Sequence, residues 1–373
     1  MAERILVDLL GFTGTRGGTE TYARELLPRL PSRMPGIEFV ALTNRVGADA
    51  VRSFFPGEVR TIRWVGAGRA AWAAGEIAAV HRAARAVDAS LVWSTANFGP
   101  VTRRRRRVTT VHDVIYHEVS GDAVDGAIRR ITSRLMTATA RTSDAVITVS
   151  HAAKAAIVHH LGLPDELIHV VHNGSSDPKN PVDPWASLAG VLDRTSRPVL
   201  LSTGNRMPHK NFDGLLRALA AVAPGDRPLA VLPGGRGQDP LAHTVAELGL
   251  ERDVILPGWV SSEQLESLYR VSALYICPST TEGFGLPIVD ALRRGCPVLA
   301  NDTAVLREVG GDVARYADAT DPAVFGAAIR SALAEQSDDA TARDRVQWGS
   351  RFTWDVAADQ TAEVLLAATE ASR

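Results

Sequence analysis

The residues with the clearest chemical use lie between Glu282 and Asp290, a segment that reads Glu-Gly-Phe-Gly-Leu-Pro-Ile-Val-Asp. Its glycines, followed by Pro287, predict a loop that leads into a helix, since proline suits the first helical turn. Backbone N–H groups at such a helix start favour a bound anion. The Glu282 carboxylate could accept hydrogen bonds from sugar hydroxyls, and Asp290 could accept from a ribose diol. Alternatively, the two acids are a loop acid and a partner of the helix dipole, but the intervening glycines favour a binding site.

A second motif lies in the segment 201–212, which reads Leu-Ser-Thr-Gly-Asn-Arg-Met-Pro-His-Lys-Asn-Phe and also leads into a predicted helix. Arg206 and Lys210 lie on either side of a predicted tight turn. Together they could bind a diphosphate, Arg206 through its planar guanidinium and Lys210 as a compact charge. Either residue alone is more often a solvated surface charge, but the pair at one strand end favours an anion site.

Two further candidates lie in the first half of the chain. A glycine-rich loop over residues 11–21 contains Gly17 and Gly18 and would let the backbone approach a ligand closely. It lacks the Gly-x-Gly-x-x-Gly spacing of a dinucleotide site, and a flexible connection explains it nearly as well. His112 ends a predicted strand, where its imidazole could hydrogen-bond a sugar, although a lone histidine is usually structural. Ser150 is predicted to cap a helix.

Charge gives little evidence for a large anionic partner. The net charge of −1 provides no overall attraction for nucleic acid, and the run Arg103–Arg107 lacks the interleaved aromatic residues that stack on bases. The run could contact anionic lipid headgroups or an anionic acceptor. The alternative, a solvated loop, is slightly favoured because no adjacent helix has a clear membrane-inserting face. The spacing of Cys277 and Cys296 does not suggest a metal site, and both fit small core residues in a reducing compartment.

The elements that must position these residues alternate between short β-branched strands and longer helices, a pattern typical of parallel α/β sheets. A length of 373 residues favours two domains, here two doubly wound, Rossmann-like domains with a ligand cleft between them. The strands are predicted in two series, near residues 4–10, 37–42, 59–64, 90–95, 108–112, 144–149 and 167–172, and then 198–203, 228–232, 253–256, 273–277, 297–300 and 313–316.

The proline-rich stretch 175–185 marks the transition between the two series. We predict a first domain over residues 1–178, a linker over 179–196 and a second domain over 197–354. The first strand is too short and is interrupted by Asp8, which argues against a secretion signal. No stretch is long and apolar enough for a spanning helix. A cytoplasmic protein is expected, with the inner face of the membrane as a further option.

These motifs resemble a known family, the retaining glycosyltransferases of family 4, also called glycosyl transferases group 1, which have the two-domain GT-B fold. The resemblance covers nearly the whole chain and is most specific at Ser279, at the segment 282–287 and at Asp290. The family usually has Glu where this chain has Asp290. The carboxylate is therefore one methylene shorter, and its ribose contact would be longer or bridged by water.

The resemblance also implies individual roles. Glu282 and His112 would contact the donor sugar, and Arg206 and Lys210 would bind the diphosphate. Gly17 and Gly18 would form the acceptor-side loop, and Trp259 and Val260 would lie in the segment that reads the base. The loop that binds sugar and phosphate oxygens would contain Gly283, Phe284, Gly285 and Leu286. Asp290 would hold the ribose. The last helix, over about 355–373, would complete the first domain.

The chemistry implied by the resemblance is transfer of a hexosyl group with retention of configuration, without a metal or other cofactor. The Arg206 and Lys210 cations and the helix start would replace the metal that neutralises the diphosphate elsewhere. The leaving phosphate would accept the acceptor's proton, so Glu282 is not assigned as a nucleophile. Two other functions stay open: a nucleotide-sugar epimerase, which would need no acceptor, and a non-catalytic sugar-binding partner of another enzyme.

The donor expected from the sequence is GDP-mannose, because the segment 204–211 resembles that of polysaccharide mannosyltransferases. UDP-hexoses and dTDP-deoxysugars are the alternatives. The expected acceptor is a saccharide, a lipid-linked saccharide or a small molecule.

Overall fold

A computed structural model describes residues 3–15, 17–118, 123–179, 183–235, 237–335 and 338–370. The chain forms two compact units. The first comprises Met1–Gly174 together with Thr353–Arg373, and the second is Ser175–Phe352. The predicted linker therefore lies within the second unit. Residues 180–182 of this linker, and residues 1–2 and 371–373 of the predicted first domain, lie outside the described residues.

The strands form two entirely parallel sheets. The first sheet has the order β3-β2-β1-β4-β5-β6-β7 and the second has the order β10-β9-β8-β11-β12-β13. Their bounds are β1 Glu3–Leu9, β2 Ile37–Asn44, β3 Glu58–Ile62, β4 Leu91–Ser94, β5 Arg106–Val111, β6 Ala145–Thr148, β7 Ile168–Val170, β8 Val199–Leu201, β9 Leu229–Val231, β10 Val254–Ile255, β11 Leu274–Cys277, β12 Val298–Asn301 and β13 Arg315–Ala317. Each predicted strand overlaps one of these, and the expected doubly wound α/β class is confirmed.

Helices connect the strands, as parallel pairing requires. They are α1 Gly18–Leu26, α2 Ala48–Arg52, α3 Arg69–Ala78, α4 Val80–Ala86, α5 Ile115–Glu118, α6 Ala123–Arg141, α7 His151–Leu161, α8 Pro184–Ser187, α9 Phe212–Ala220, α10 Leu241–Glu247, α11 Ser262–Val271, α12 Leu286–Arg293, α13 Ala304–Gly310, α14 Pro322–Ala334, α15 Asp339–Gly349 and α16 Trp354–Glu370. No helix in the described ranges has the length and apolar character needed to cross a membrane.

The sheets are buried because their strands are apolar on both faces, as expected where helices cover each side. Ile5, Leu6 and Val7 of β1 are fully buried, and so are Leu200 and Leu201 of β8. In each sheet the strand order reverses between two neighbouring strands, because the chain continues from each of them towards the opposite edge of the sheet. These strands are β1 and β4 in the first sheet, and β8 and β11 in the second. Ligands of doubly wound sheets bind at such points.

The last helix, α16, is separated from the rest of the first unit by the whole second unit in sequence. Its Trp354 ring lies edge-on to Tyr22 with 6.2 Å between centroids. Arg33 forms ion pairs with Asp355 at 2.8 Å and with Asp359 at 2.5 Å. Packing and charge therefore both hold α16 on the first unit.

Gly174 is a strong test of this arrangement, because a Cβ there would lie 2.1 Å from the backbone nitrogen of Trp354. Gly174→Ala should lower the free energy of unfolding by about 1–3 kcal/mol, since the clash is with backbone and not with a flexible side chain. The urea midpoint of unfolding measures this. Gly225→Ala is the matched control because a Cβ there meets nothing within 4 Å. Equal midpoints for the two variants would contradict the packing of α16.

Candidate active site

The two sequence motifs of the second unit lie at the carboxyl ends of β8 and β11, the neighbouring strands at the point where the strand order reverses. The segment 202–211 follows β8 and ends at α9. The segment 278–285 follows β11 and ends at α12. The parallel sheet therefore brings together two loops that are about 70 residues apart in sequence.

Lys210 and Glu282 form the central contact between these loops, with 2.6 Å between the Lys210 Nζ and a Glu282 carboxylate oxygen. Both side chains are largely buried. An ammonium and a carboxylate removed from water stabilise one another only when paired closely, as they are here. The sequence assigned these residues to phosphate and sugar respectively, and the structure brings them together.

Asn211 holds the first loop against the second. It adopts a left-handed backbone conformation, with φ of 52°. Its side-chain amide donates hydrogen bonds to the carbonyls of Pro278 and Ala319, at 3.2 and 2.9 Å. The Thr280 N–H also donates to the carbonyl of His209, at 2.8 Å. The position of Lys210 is thus fixed by the backbone on both sides.

His209 is a site residue that the sequence analysis did not select. Burial lowers its pKa, the Lys210 charge lowers it further, and Glu282 opposes both effects. Both of the larger effects favour the neutral imidazole beside the Lys210 ammonium. Its adjacency to Lys210 in a motif that already contained a candidate cation was the available signal.

The glycine loop has the geometry that the sequence predicted. Gly285 has φ of 99°, a left-handed conformation that favours glycine, and helix α12 begins at the next residue, Leu286. Phe284 is buried and lies edge-on to Phe352, with 5.6 Å between ring centroids. Gly283 lies in the same loop, immediately after Glu282. The start of α12 is thus held beside the Lys210–Glu282 pair, where its dipole favours an anion.

Asp290 lies one turn into α12 and is already hydrogen-bonded within the second unit. The Ser175 hydroxyl donates to its Oδ1 at 2.5 Å, and Arg294 lies 3.8 Å from the same oxygen. Burial raises the pKa of Asp290, whereas the Ser175 hydrogen bond and the arginine charge lower it. A ribose diol at this position would compete with Ser175 for the shorter carboxylate.

Arg206 has an acidic partner of its own. Its guanidinium forms a bidentate ion pair with Asp239, at 2.7–3.1 Å, and donates to the carbonyl of Leu232 at 2.6 Å. The side chain is 7% exposed and packs over the Phe212 ring. In this structure Arg206 therefore holds the β8 loop against the segment after β9, and Lys210 is the cation beside Glu282.

The segment that the family resemblance assigned to the base follows β10. Trp259 is 40% exposed, whereas Val260 is buried. The preceding Gly258 has φ of 72°, and its carbonyl accepts a hydrogen bond from the Gly234 N–H at 2.8 Å. This contact attaches the segment to the loop after β9, next to the strand that carries the Lys210 loop.

In the first unit, Gly17 precedes α1 and Gly18 is its first residue, and a Cβ at either position would meet nothing within 4 Å. His112 follows β5 and is buried. Its Nε2 lies 2.8 Å from the carbonyl of Thr95, which can only accept, so Nε2 carries the proton. Burial lowers the pKa of His112 to about 4, and the imidazole is neutral near pH 7.

The arginine run is largely part of the fold and does not form a fully solvated loop. Arg106 and Arg107 belong to β5, and Arg107 is buried, donating to the carbonyl of Thr139 at 2.8 Å. Arg105 donates to the Ala89 carbonyl, and Arg103 is paired with Asp144. The guanidinium groups of Arg103, Arg105 and Arg107 therefore have internal partners that compete with an external anion.

Two doubly wound domains, the second with a lysine, a glutamate and a helix start at its switch point, are the arrangement expected of a GT-B glycosyltransferase. Residues 16–176 match the family model described as Glycosyltransferase Family 4, and residues 189–349 match Glycosyl transferases group 1. The chain belongs to this glycosyltransferase family, and it is an enzyme of the group 1 type that uses a nucleotide sugar.

Relatives with known names agree with the family. The O-antigen chain mannosyltransferase B of Escherichia coli is 30% identical over 280 residues, which are 72% of each chain. The D-inositol 3-phosphate glycosyltransferase of Nocardia farcinica is 32% identical over 234 residues, which are 57% of this chain and 51% of that protein. The chain thus spans about half the length of this second relative.

Solved structures agree with the fold. Sucrose-phosphate synthase from Thermosynechococcus elongatus superposes with a TM-score of 0.77 at 19% identity, covering 99% of this chain and 100% of that one. Anabaena HepE in complex with UDP superposes with a TM-score of 0.73 at 21% identity, covering 98% and 100%. The GT-B fold is therefore confirmed.

The state of His112 makes a prediction for stability against pH. Below its ordinary pKa of about 6.5 the unfolded imidazole takes up a proton, whereas the folded one does so only near pH 4. The unfolded state therefore binds more protons in this window, and His112 should reduce stability by up to about 3 kcal/mol as pH falls from 6.5 to 4. Thermal midpoints of the wild type and His112→Gln measure this, and the variant should show the smaller decrease.

The matched control is His243→Gln, since His243 lies exposed on α10 of the other unit. It should retain the wild-type pH dependence. Parallel curves for His112→Gln and the wild type would show that His112 is not buried as a neutral imidazole.

Proposed function

We propose that the chain transfers a hexosyl group from a nucleotide sugar to a saccharide, a lipid-linked saccharide or a small-molecule acceptor, with retention of configuration and without a metal. The observation that carries this proposal is the Lys210–Glu282 pair, 2.6 Å apart at the switch point of the second sheet and beside the start of α12. One group suits a diphosphate, the other suits sugar hydroxyls, and the helix start suits a phosphate oxygen.

In the proposed reaction, the donor diphosphate lies against Lys210 and the start of α12. Both provide positive potential where negative charge develops on the leaving group. The bond between the anomeric carbon and the phosphate oxygen breaks, and a bond to the acceptor oxygen forms on the same face. The acceptor's proton passes to the leaving phosphate oxygen. Glu282, displaced from Lys210, accepts hydrogen bonds from the donor sugar, and His112 contributes a neutral imidazole.

GDP-mannose is the proposed donor. Support comes from mannosyltransferases among the relatives, namely the Escherichia coli enzyme and RfbU of Salmonella typhimurium, which is 25% identical over 256 residues. A UDP-hexose is the second candidate, because the superposed HepE structures contain UDP or UDP-glucose. The proposed site of action is the cytoplasm or the inner face of the membrane. Arg103 and Arg104 are exposed, and a lipid headgroup could reach them.

Substitutions at the ion pair test the site. Lys210→Met should reduce kcat for transfer by about 10²- to 10³-fold, because a preorganised donor to the leaving group is lost. Glu282→Gln should also reduce activity, with the larger effect on kcat/KM for the donor. Asp302→Asn is the control, since Asp302 forms an exposed ion pair in the same unit and should leave transfer unchanged. Wild-type rates for Lys210→Met with intact folding would refute the site assignment.

Donor identity is tested by thermal unfolding with GDP-mannose, UDP-glucose and a dTDP-deoxysugar, each in buffer containing EDTA. A ligand that binds only the folded state stabilises it by about 2.7 kcal/mol at one hundred times its dissociation constant. GDP-mannose should give the largest rise in midpoint, and EDTA should not diminish it. A larger rise with another nucleotide sugar would replace GDP-mannose as the donor, and a rise abolished by EDTA would contradict metal independence.

A further inference from the structure

The two carboxylate oxygens of Asp290 differ in what they contact. Its Oδ1 accepts a hydrogen bond from the Ser175 hydroxyl at 2.5 Å and lies 3.8 Å from the Arg294 guanidinium. Its Oδ2 has no hydrogen-bond partner within the described residues, yet it is not fully buried. The side chain as a whole is 29% exposed. One oxygen is therefore used inside the protein, and the other can be reached by a ligand.

Ser175 is held in place by its own backbone. Its N–H donates to the Phe352 carbonyl at 3.1 Å, and its carbonyl accepts a hydrogen bond from the Arg293 guanidinium. The residue is only 4% exposed. All of these groups belong to the second unit. The Ser175 hydroxyl is thus already oriented towards Asp290 before any ligand arrives.

A ligand hydroxyl would compete poorly with Ser175 for Oδ1. The displaced Ser175 hydroxyl would have only the Ser176 carbonyl to donate to, at 3.3 Å, a longer contact with an uncharged acceptor. Hydrogen bonds to an ionised carboxylate are the stronger kind. The Ser175 bond also forms within one folded unit, whereas a ligand loses translational freedom when it binds. Ser175 therefore keeps Oδ1.

Arg294 strengthens the same asymmetry. Its Nε and Nη2 pair with one Glu266 carboxylate oxygen at 2.8 and 2.5 Å, and its Nη1 donates to the Asp290 carbonyl at 2.9 Å. The side chain is 7% exposed and packs over the Tyr269 ring. Arg294 is thus fixed on the Oδ1 side of the carboxylate, and a ligand meets Oδ2.

Ribose chemistry gives this asymmetry a consequence. A carboxylate holds two neighbouring hydroxyls best when each of its oxygens accepts from one of them. The family usually has Glu at this position, with a carboxylate one methylene further from the helix. The shorter Asp290 leaves its carboxylate within reach of Ser175. One oxygen then remains for the two hydroxyls of a ribose.

We propose that Asp290 accepts a hydrogen bond from one ribose hydroxyl only, through Oδ2, and that Ser175 is the positioning residue that keeps Oδ1 from the other. The inference rests on the proposed nucleotide-sugar transfer and concerns its nucleotide specificity. A nucleotide that lacks the unread hydroxyl is accepted. A dTDP sugar, which has no 2′ hydroxyl, is therefore admitted if Oδ2 meets the 3′ hydroxyl and excluded if it meets the 2′ hydroxyl.

Titration calorimetry on the full chain tests the inference without turnover. The probes are GDP and UDP, and the tighter binder is compared with its 2′-deoxy and 3′-deoxy analogues. One analogue should bind within about threefold of the parent nucleotide, and the other at least about tenfold more weakly, because only one hydroxyl donates to a charged oxygen. Tenfold losses for both analogues would overturn the inference, and so would losses for neither.

Ser175→Ala assigns the effect to its cause. The substitution frees Oδ1, so the analogue that the wild type tolerates should now bind at least about fivefold more weakly than the parent nucleotide. A merely structural role for Ser175 would weaken all three nucleotides by the same factor. Ser176→Ala is the matched control, since Ser176 is exposed and adjacent, and it should keep the wild-type pattern. An unchanged pattern in Ser175→Ala would refute the role of Ser175.

Asp290→Glu provides the same comparison if Ser175→Ala does not fold. The longer side chain carries the carboxylate beyond Ser175, so both analogues should bind about tenfold more weakly than the parent nucleotide. A pattern in which one hydroxyl still suffices would overturn the inference.

The outcome is separable from that of the proposed function, because nucleotide binding needs no acceptor. If one hydroxyl suffices but no sugar is transferred, the proposed transfer fails and the inference stands. If sugar is transferred but both hydroxyls are required, the proposed transfer stands and the inference fails. Absence of binding by both GDP and UDP would overturn the inference whatever the transfer assay shows.

Discussion

An ammonium and a carboxylate 2.6 Å apart, Lys210 and Glu282, are the contact on which the proposed donor site depends. Neither group could be buried alone without a large loss of solvation free energy. Their pairing is possible only because β8 and β11 are adjacent and parallel, so that two distant loops meet. The Asn211 amide then ties the first loop to the Pro278 carbonyl of the second loop and to the Ala319 carbonyl after β13. The Lys210–Glu282 pair therefore depends both on the strand order of the second sheet and on the turn at Asn211.

Features set by local sequence could be predicted. The strand 273–277 was placed within one residue of β11, because a short apolar run between a helix and a glycine loop has few other interpretations. Ser150 caps α7 as predicted, with its hydroxyl accepting from the Ala153 N–H at 2.9 Å. The start of α12 after the glycines is equally local. These elements were sufficient to define the fold class.

Features set by long-range partners could not be predicted. Arg206 pairs with Asp239, Asp290 accepts from Ser175, which is 115 residues away, and Arg107 is enclosed by groups from the loop before β6. A sequence shows that a charge exists but not which distant group neutralises it, and that partner decides whether the charge is free for a ligand.

The placement of α16 has a consequence for biosynthesis. Its 17 residues follow the whole second unit in sequence, yet they cover part of the unit that contains Met1–Gly174. A ribosome releases the continuous second unit, Ser175–Phe352, before it releases the segment that completes the first. N-terminal domains usually fold first during translation. Here the first unit can be completed only after the second unit has been synthesised. The nascent first unit must therefore keep the surface beside Tyr22 uncovered until Trp354 has been synthesised.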